Sequence, residues 1–216
     1  MTTLPGSPYE RMAVKIVGRG PGDKPSRRER GERLVMDAVV RVLVRDGLDG
    51  LSVRRVATEA GVSIGAVQHH FRTKDALLVA AADHVTTQFK TRAEQRTREA
   101  MDQQGATAAF LAFCLLLANA ADDDVAPSVV WLWYAAKATQ QGPVAHAFAT
   151  GWSETEQFLR RWIEKLFPDR EADLEAAHLL AVLDGLAIAR AAEPARMPAA
   201  RADGIVRRHV AQLATS

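Results

Sequence analysis

The chain has 216 residues and a mass of 23.5 kDa, enough for one large domain or for a small module on a larger body. Its 48% apolar and 25% charged residues are those of a globular protein and exclude disorder as the main state. The single cysteine, Cys114, excludes an internal disulfide framework and any multi-cysteine zinc site, and the net charge of +2 says little by itself.

The distribution of that charge says more. Residues 1–74 carry 14 Lys/Arg against 8 Asp/Glu, a net of +6, and residues 75–216 carry 14 against 18, a net of −4. A basic N-terminal third on an acidic body suits contact with a polyanion, although chance clustering would look the same. The longest nearly apolar run, Ala106 to Ala118, is too short to cross a bilayer. The start, MTTLPGSPYERM, lacks the apolar stretch of a secretory leader. The expectation is a soluble, cytoplasmic protein that does not meet the membrane.

Residues 1–25 hold Pro5, Gly6, Pro8, Gly18, Gly20, Pro21, Gly22 and Pro25 and are expected to form a flexible tail. Within it, Ala13 to Val17 followed by Gly18-Arg19-Gly20-Pro21-Gly22-Asp23-Lys24 imitates a strand and a phosphate loop. Pro25 stands where that loop needs Ser or Thr, and no parallel sheet follows. Ser26-Arg27-Arg28-Glu29 has the form of a capping box. Apolar residues then recur at Leu34, Val35, Ala38, Val39, Val42 and Leu43, the stripe of an amphipathic helix, until Asp46-Gly47 ends it. Ser52 caps a short helix to about Ala60, Ser63 a second to about His70, and Thr73 a long one from Lys74 to about Met101. Five more helices are predicted at about 106–120, 126–140, 143–167, 170–192 and 198–213. No segment alternates with period two, so the chain reads as all-α.

The two short helices carry the most specific signal. Ala57 provides a small residue where two helices cross, Gly61 allows a positive φ in the turn, and Val67 fastens the second helix to the first. Val56, Ala60 and Val62 fill the other inward positions. Helices of about two turns bury too little to stand alone, and this spacing is that of a helix-turn-helix whose second helix protrudes. The protruding face holds Ser63, Ile64, Gly65, Ala66, Gln68 and His69. Small residues let the backbone approach a groove, and Gln68 has the donor–acceptor pair that reads adenine. Ser52, Ser63 and Lys74 lie at helix starts, where free N–H groups favour phosphate. Each alone reads equally as a cap or a solvated charge; together, in the basic third, they point to DNA.

The run Ala60-Gly61-Val62-Ser63, followed by His70-Phe71 and then by Lys74-Asp75-Ala76-Leu77, resembles the DNA-binding domain of the TetR family of transcriptional regulators over about residues 30–78. The resemblance implies an all-helical homodimer with an N-terminal DNA-reading domain (26–78) and a C-terminal domain for ligand binding and dimerisation (79–216). It implies that Ser52, Ser63, Ala66, Gln68, His69, His70 and Lys74 face DNA, while Val67 and Phe71 are core. The family usually has tyrosine where Gln68 stands, which puts a base-reading glutamine in place of the usual contact. Val130-Trp131-Leu132-Trp133 and Leu183-Asp184-Gly185-Leu186 are more weakly similar to the BetI-type branch.

In the body, residues 174–192 are apolar on nearly every face, and Ala202, Ile205, Val206, Val210 and Leu213 form a further stripe. Two such helices can form half of a four-helix bundle with a second copy, or simply a monomer's core. Aromatic residues gather on three middle helices, and all four tryptophans lie between 131 and 162. Phe110, Phe113, Trp131, Tyr134 and Trp152, with Cys114, are the candidate lining of a small-molecule site, with His146 and His178 as further polar groups. An aromatic cage for a quaternary ammonium fits the branch; a packed core fits the same residues. No nucleophile elbow, metalloprotease or Cys-x-x-Cys motif is present, and His69 and His70 are expected on different faces of their helix. The sequence therefore reads as a non-enzymatic, ligand-responsive repressor without cofactor or metal. Its expected partners are an inverted-repeat operator in double-stranded DNA, an unidentified effector and a second copy of itself. The alternative is a helical small-molecule-binding protein that has lost its DNA contacts.

Overall fold

In a computed structural model the described residues are 27–121 and 123–215. The expected tail over 1–25 and the capping serine Ser26 lie outside them. Among the described residues there are nine helices and no strand: α1 (Arg27–Gly50), α2 (Val53–Ala60), α3 (Ile64–His70), α4 (Lys74–Gln104), α5 (Ala106–Leu117), α6 (Ala126–Ala138), α7 (Pro143–Leu166), α8 (Ala172–Ala192) and α9 (Ala199–Leu213). The all-α architecture is as expected, and most boundaries fall within three residues of the predicted ones. The end of α1 takes an unexpected course. Gly47 takes φ 66°, as its expected cap role requires, but a last turn resumes beyond it and carries the helix to Gly50.

The caps follow the sequence closely. Ser52 Oγ accepts from the Arg55 N–H (3.3 Å), Ser63 Oγ from the Ala66 N–H (3.2 Å) and Thr73 Oγ1 from the Ala76 N–H (3.0 Å). Each satisfies a donor that the helix start leaves free. Gly61, at φ 67° and ψ 30°, closes α2 in the left-handed region.

Two apolar cores result. The first joins α1 to α3 with the start of α4 through Val39, Val42, Leu43, Val56, Val67 and Leu77, all fully buried. It does not stop at the head. Val130 and Tyr134 of α6 and Val144 of α7 belong to the same cluster. The second core is the body: Phe110, Cys114, Leu159, Ile163, Leu179, Leu183 and Val206, from α5, α7, α8 and α9. The 31-residue helix α4 runs between them, contributing Leu77 to the first and Ala93 to the second.

The expected stripe on α9 does not face outward. Ala202, Val206, Val210 and Leu213 are all buried within their own chain, against the body core. What α8 leaves uncovered is a line of Leu174, Ala177, His178, Ala181, Gly185 and Ile188, all exposed and spaced three or four residues apart. Leu174 is 65% exposed and Ile188 45%, large values for aliphatic side chains. Arg170 fixes the end of α9 to the loop before α8, donating to the carbonyls of Gln212 (2.8 Å), Leu213 (3.2 Å) and Thr215.

Candidate functional site

The reading head presents its residues as the helix-turn-helix argument requires. In α3 only Val67 is buried. Ile64, Gly65, Ala66, Gln68, His69 and His70 are exposed, as are Ser52, Ser63 and Lys74. Ile64 is 44% exposed, an apolar side chain at the tip of a polar face. The rings of His69 and His70, expected on different faces, meet edge to face with centroids 4.9 Å apart. Sequence reasoning passed over two cations beside this face, Arg54 and Arg72. Both are exposed, and like Lys74 neither makes an ion pair among the described residues. Their neighbours behave differently. Arg41 and Arg45 both hold Glu59, at 2.8 and 2.9 Å, and Arg55 holds Asp46 at 2.9 Å. The Arg41 guanidinium, with Arg45, keeps the Glu59 carboxyl below its ordinary range. These cations tie α1 to α2, whereas Arg54, Arg72 and Lys74 make no ion pair among the described residues.

The second site is a cavity of about 1250 Å³ bounded by α4, α5, α6, α7 and α8. Its lining includes Phe89, Phe113, Trp131, Tyr134, Phe148, Trp152 and Phe158. The rings fall into two groups, Phe89 with Phe113 and Phe158, and Trp131 with Tyr134, Phe148 and Trp152. Trp131 meets Trp152 edge to face (5.0 Å) and tilts against Tyr134 (5.4 Å), while Phe148 stacks on Trp152 (4.8 Å, 14° between planes). Of the residues that sequence reasoning offered as the lining, Phe113, Trp131, Tyr134 and Trp152 face this space. Phe110 and Cys114 do not. Both are fully buried in the body core, and burial pushes the Cys114 thiol far above its ordinary range. A fully buried small thiol at a helix crossing fills volume, as another small apolar side chain would. Of the other polar candidates, His146 lines the cavity and His178 lies outside it.

The polar groups that do stand in the cavity include two that the pattern of residues did not single out. Asp184 of α8 is half-buried, and burial raises its carboxyl from 3.8 to about 7 even though the Trp152 indole N–H donates to it. Asn119, at φ 52°, has a buried side-chain amide nitrogen with no hydrogen-bond partner among the described residues. Asp83 is also raised by burial, with Lys90 acting the other way, and its charge adds to burial in raising the Tyr134 phenol. A signal for Asp184 existed: it is the one acid beyond the first turn of a mostly apolar helix. It reads equally as a surface residue until the helix is placed.

Helix α6 connects the two sites. Trp131 and Trp133 are two residues apart, about 200° around a helix, so they face opposite ways. Trp131 lines the cavity. Trp133 packs against the kink of α1, where a Cβ on Gly47 would stand 3.1 Å from its ring. One turn on, Lys137 reaches Asp75 at the start of α4, 3.3 Å away. No helix among the described residues is long and apolar enough to cross a membrane.

The comparisons with known proteins agree with this geometry. Residues 35–81 match the bacterial regulatory proteins of the tetR family, and residues 106–215 match the C-terminal domain of BetI-type transcriptional repressors. The chain is 26% identical over 186 residues to the HTH-type transcriptional regulator PksA of Bacillus subtilis, an alignment covering 84% of this chain and 89% of that protein. A crystal structure of a transcriptional regulator from Rhodococcus sp. Rha1 superposes with a TM-score of 0.74 at 28% identity, covering 84% of this chain and 95% of that one. The same fold recurs at 20% identity and a TM-score of 0.69 in a Saccharomonospora viridis regulator solved in complex with choline, over 84% of this chain and 96% of that one. The chain thus belongs to the TetR family of bacterial regulatory proteins and is a helix-turn-helix transcriptional regulator whose body is of the BetI type.

Proposed function

We propose that this regulator is a homodimeric repressor that a small-molecule effector releases from an inverted-repeat operator. The observation that carries this reading is the double contact of α6, with Trp131 in the cavity and Trp133 on the kink of α1. An effector that prefers one position of α6 biases the position of the head, and the coupling is reciprocal, typically about 1–3 kcal/mol. Residues 26–78 are the reading domain and 79–216 the ligand-binding and dimerisation domain. In the reading domain Ser52, Ser63, Ile64, Gly65, Ala66, Gln68, His69, His70 and Lys74 meet DNA, Gln68 at a base edge and Lys74 at a phosphate, with Arg54 and Arg72 adding phosphate contacts. The dimer forms on the uncovered line of α8, where Ala177, Ala181 and Gly185 permit close approach and Leu174 and Ile188 supply apolar area. Two heads on a two-fold axis require two half-sites. The chain acts by binding rather than catalysis, in the cytoplasm where its DNA lies.

The cavity also limits the effector. Its walls are largely apolar and carry seven aromatic rings, and the half-buried acid Asp184 accepts from the indole N–H of Trp152, on which Phe148 stacks. A largely apolar molecule carrying a cationic group suits those walls, with the cation at Asp184 and the indole face. The cationic group of choline, the ligand of the Saccharomonospora viridis regulator, has that chemistry. Tryptophan fluorescence identifies binders among organic cations, and each is then titrated into the protein–operator complex. Release of DNA at saturation supports the reading. A bound effector that leaves operator affinity unchanged overturns it, because equal affinity for both states shifts nothing.

A further inference from the structure

Away from both sites, α8 and α9 bring together three groups that neither site uses. One carboxylate oxygen of Glu175, one ring nitrogen of His178 and one of His209 lie within 4.8 Å of one another. Glu175 and His178 are three residues apart on α8 and so project from one face, with the carboxylate oxygen 4.0 Å from His178 Nδ1. His209 comes from α9 and meets the His178 ring edge to face, centroids 4.9 Å apart. The Nε2 of His209 is buried and has no hydrogen-bond partner among the described residues. The backbone around the trio is anchored, since Arg170 holds the last carbonyls of α9 to the loop before α8. Two imidazoles and a carboxylate on two fixed helices are a ligand set for a borderline divalent ion, with a coordination position left for water.

We propose that Glu175, His178 and His209 form a zinc site that clasps α8 to α9. Around a tetrahedral ion with bonds of about 2.0–2.1 Å, the donors stand about 3.3 Å apart. The donors now lie within 4.8 Å of one another, and the His178 side chain, 60% exposed, has room to rotate toward the other two. His178 also lies on the uncovered line of α8, between Leu174 and Ala181. The ion therefore sits at the edge of the surface assigned above to the second copy. The site itself does not depend on that assignment, because all three ligands come from one chain.

The test uses the full-length protein stripped with a chelator, titrated with zinc by calorimetry and with cobalt by visible absorption. The expected result is one ion per chain, with the intense visible bands of tetrahedral cobalt. His178→Ala and His209→Gln should each weaken zinc binding by at least about tenfold, since removing even an outer partner of a ligand has that effect. His146→Ala and the double change His69→Ala/His70→Ala should leave it unchanged. Zinc should raise the melting temperature of the parent protein and not that of His178→Ala, whose exposed side chain makes loss of folding an inadequate explanation. Equal zinc affinity in the parent and His178→Ala overturns the proposal. So does binding that disappears only when His69 and His70 are removed, and so does the absence of binding, which would leave the trio a ring contact beside a carboxylate.

Discussion

Replacing Asp184 with asparagine separates what the fold needs at that position from what it tolerates. The side chains have the same shape, and an amide oxygen can still accept from the Trp152 indole. Only the ionisation is lost. Burial raises the aspartate from 3.8 to about 7 in the folded chain. The folded state therefore holds the proton more tightly than the unfolded one, and ionising Asp184 works against folding. That penalty is absent below the unfolded value, grows through the interval up to about 7, and is complete above it. A difference of about 3 pH units corresponds to about 4 kcal/mol in full. The carboxyl borders the cavity and is screened by solvent, which brings the expected figure to about 2 kcal/mol. Urea unfolding at fixed protein concentration, at pH 5 and at pH 8, measures it. Asp184→Asn should be more stable than the parent by about 2 kcal/mol at pH 8 and by a smaller margin, about two-thirds of that, at pH 5. An advantage of the same size at both values, or a less stable variant at pH 8, refutes the reasoning. A costly carboxylate in an aromatic cavity suggests use by a ligand. A cationic effector favours the ionised form, so its affinity should rise by up to about tenfold per pH unit below 7 and level off above it. Asp184→Asn should flatten that rise.

Five further outcomes follow from single positions. A Cβ added at Gly185 meets nothing of its own chain within 4 Å, so for Gly185→Arg light scattering should find a folded monomer that binds operator poorly. Gly65 on α3 is equally unobstructed, so Gly65→Val should fold normally yet lose operator affinity in electrophoretic shifts, because the backbone can no longer approach the groove. Gln68→Ala should cost about 1–3 kcal/mol at one base position, and Lys74→Ala should weaken every operator variant alike. Trp133→Ala should leave effector binding intact by fluorescence while reducing its effect on operator release.

How much of this was legible in the sequence depended on the range of the physics involved. The caps at Ser52, Ser63 and Thr73, the turn glycine Gly61 and the inward Val67 are local, and they stand where the residue pattern puts them. The α9 stripe was visible too, but not its direction. An apolar face looks the same whether its own chain or a second copy covers it, and here the chain's own body core covers Val206 and Val210. Phe110 and Cys114 were indistinguishable from Phe113 for a similar reason. All three lie on one apolar helix, and only the crossing angles of α7 and α8 decide which of them borders empty space. Glu175, His178 and His209 could not be grouped at all, because the third is 31 residues beyond the second and on another helix.

Helix α6 shows why a regulator of this size can carry two sites without a separate relay. Its composition, Ala-Pro-Ser-Val-Val-Trp-Leu-Trp-Tyr-Ala-Ala-Lys-Ala, is apolar almost all round, as a helix with neighbours on every side must be. Tyr134 belongs to the core of the reading head and also lines the cavity, while Trp131 and Trp133 take opposite sides. A packed interior is close to incompressible, so a ligand that pushes on Trp131 cannot be absorbed within the helix. On the proposed reading the displacement is passed to Trp133 and Lys137, where α6 meets Gly47 and Asp75. Gly47 is the one break in α1, and its φ of 66° already departs from the helix there. The contact of α6 with α1 thus falls at the one break in that helix, beside Asp46, whose pair with Arg55 ties α1 to α2.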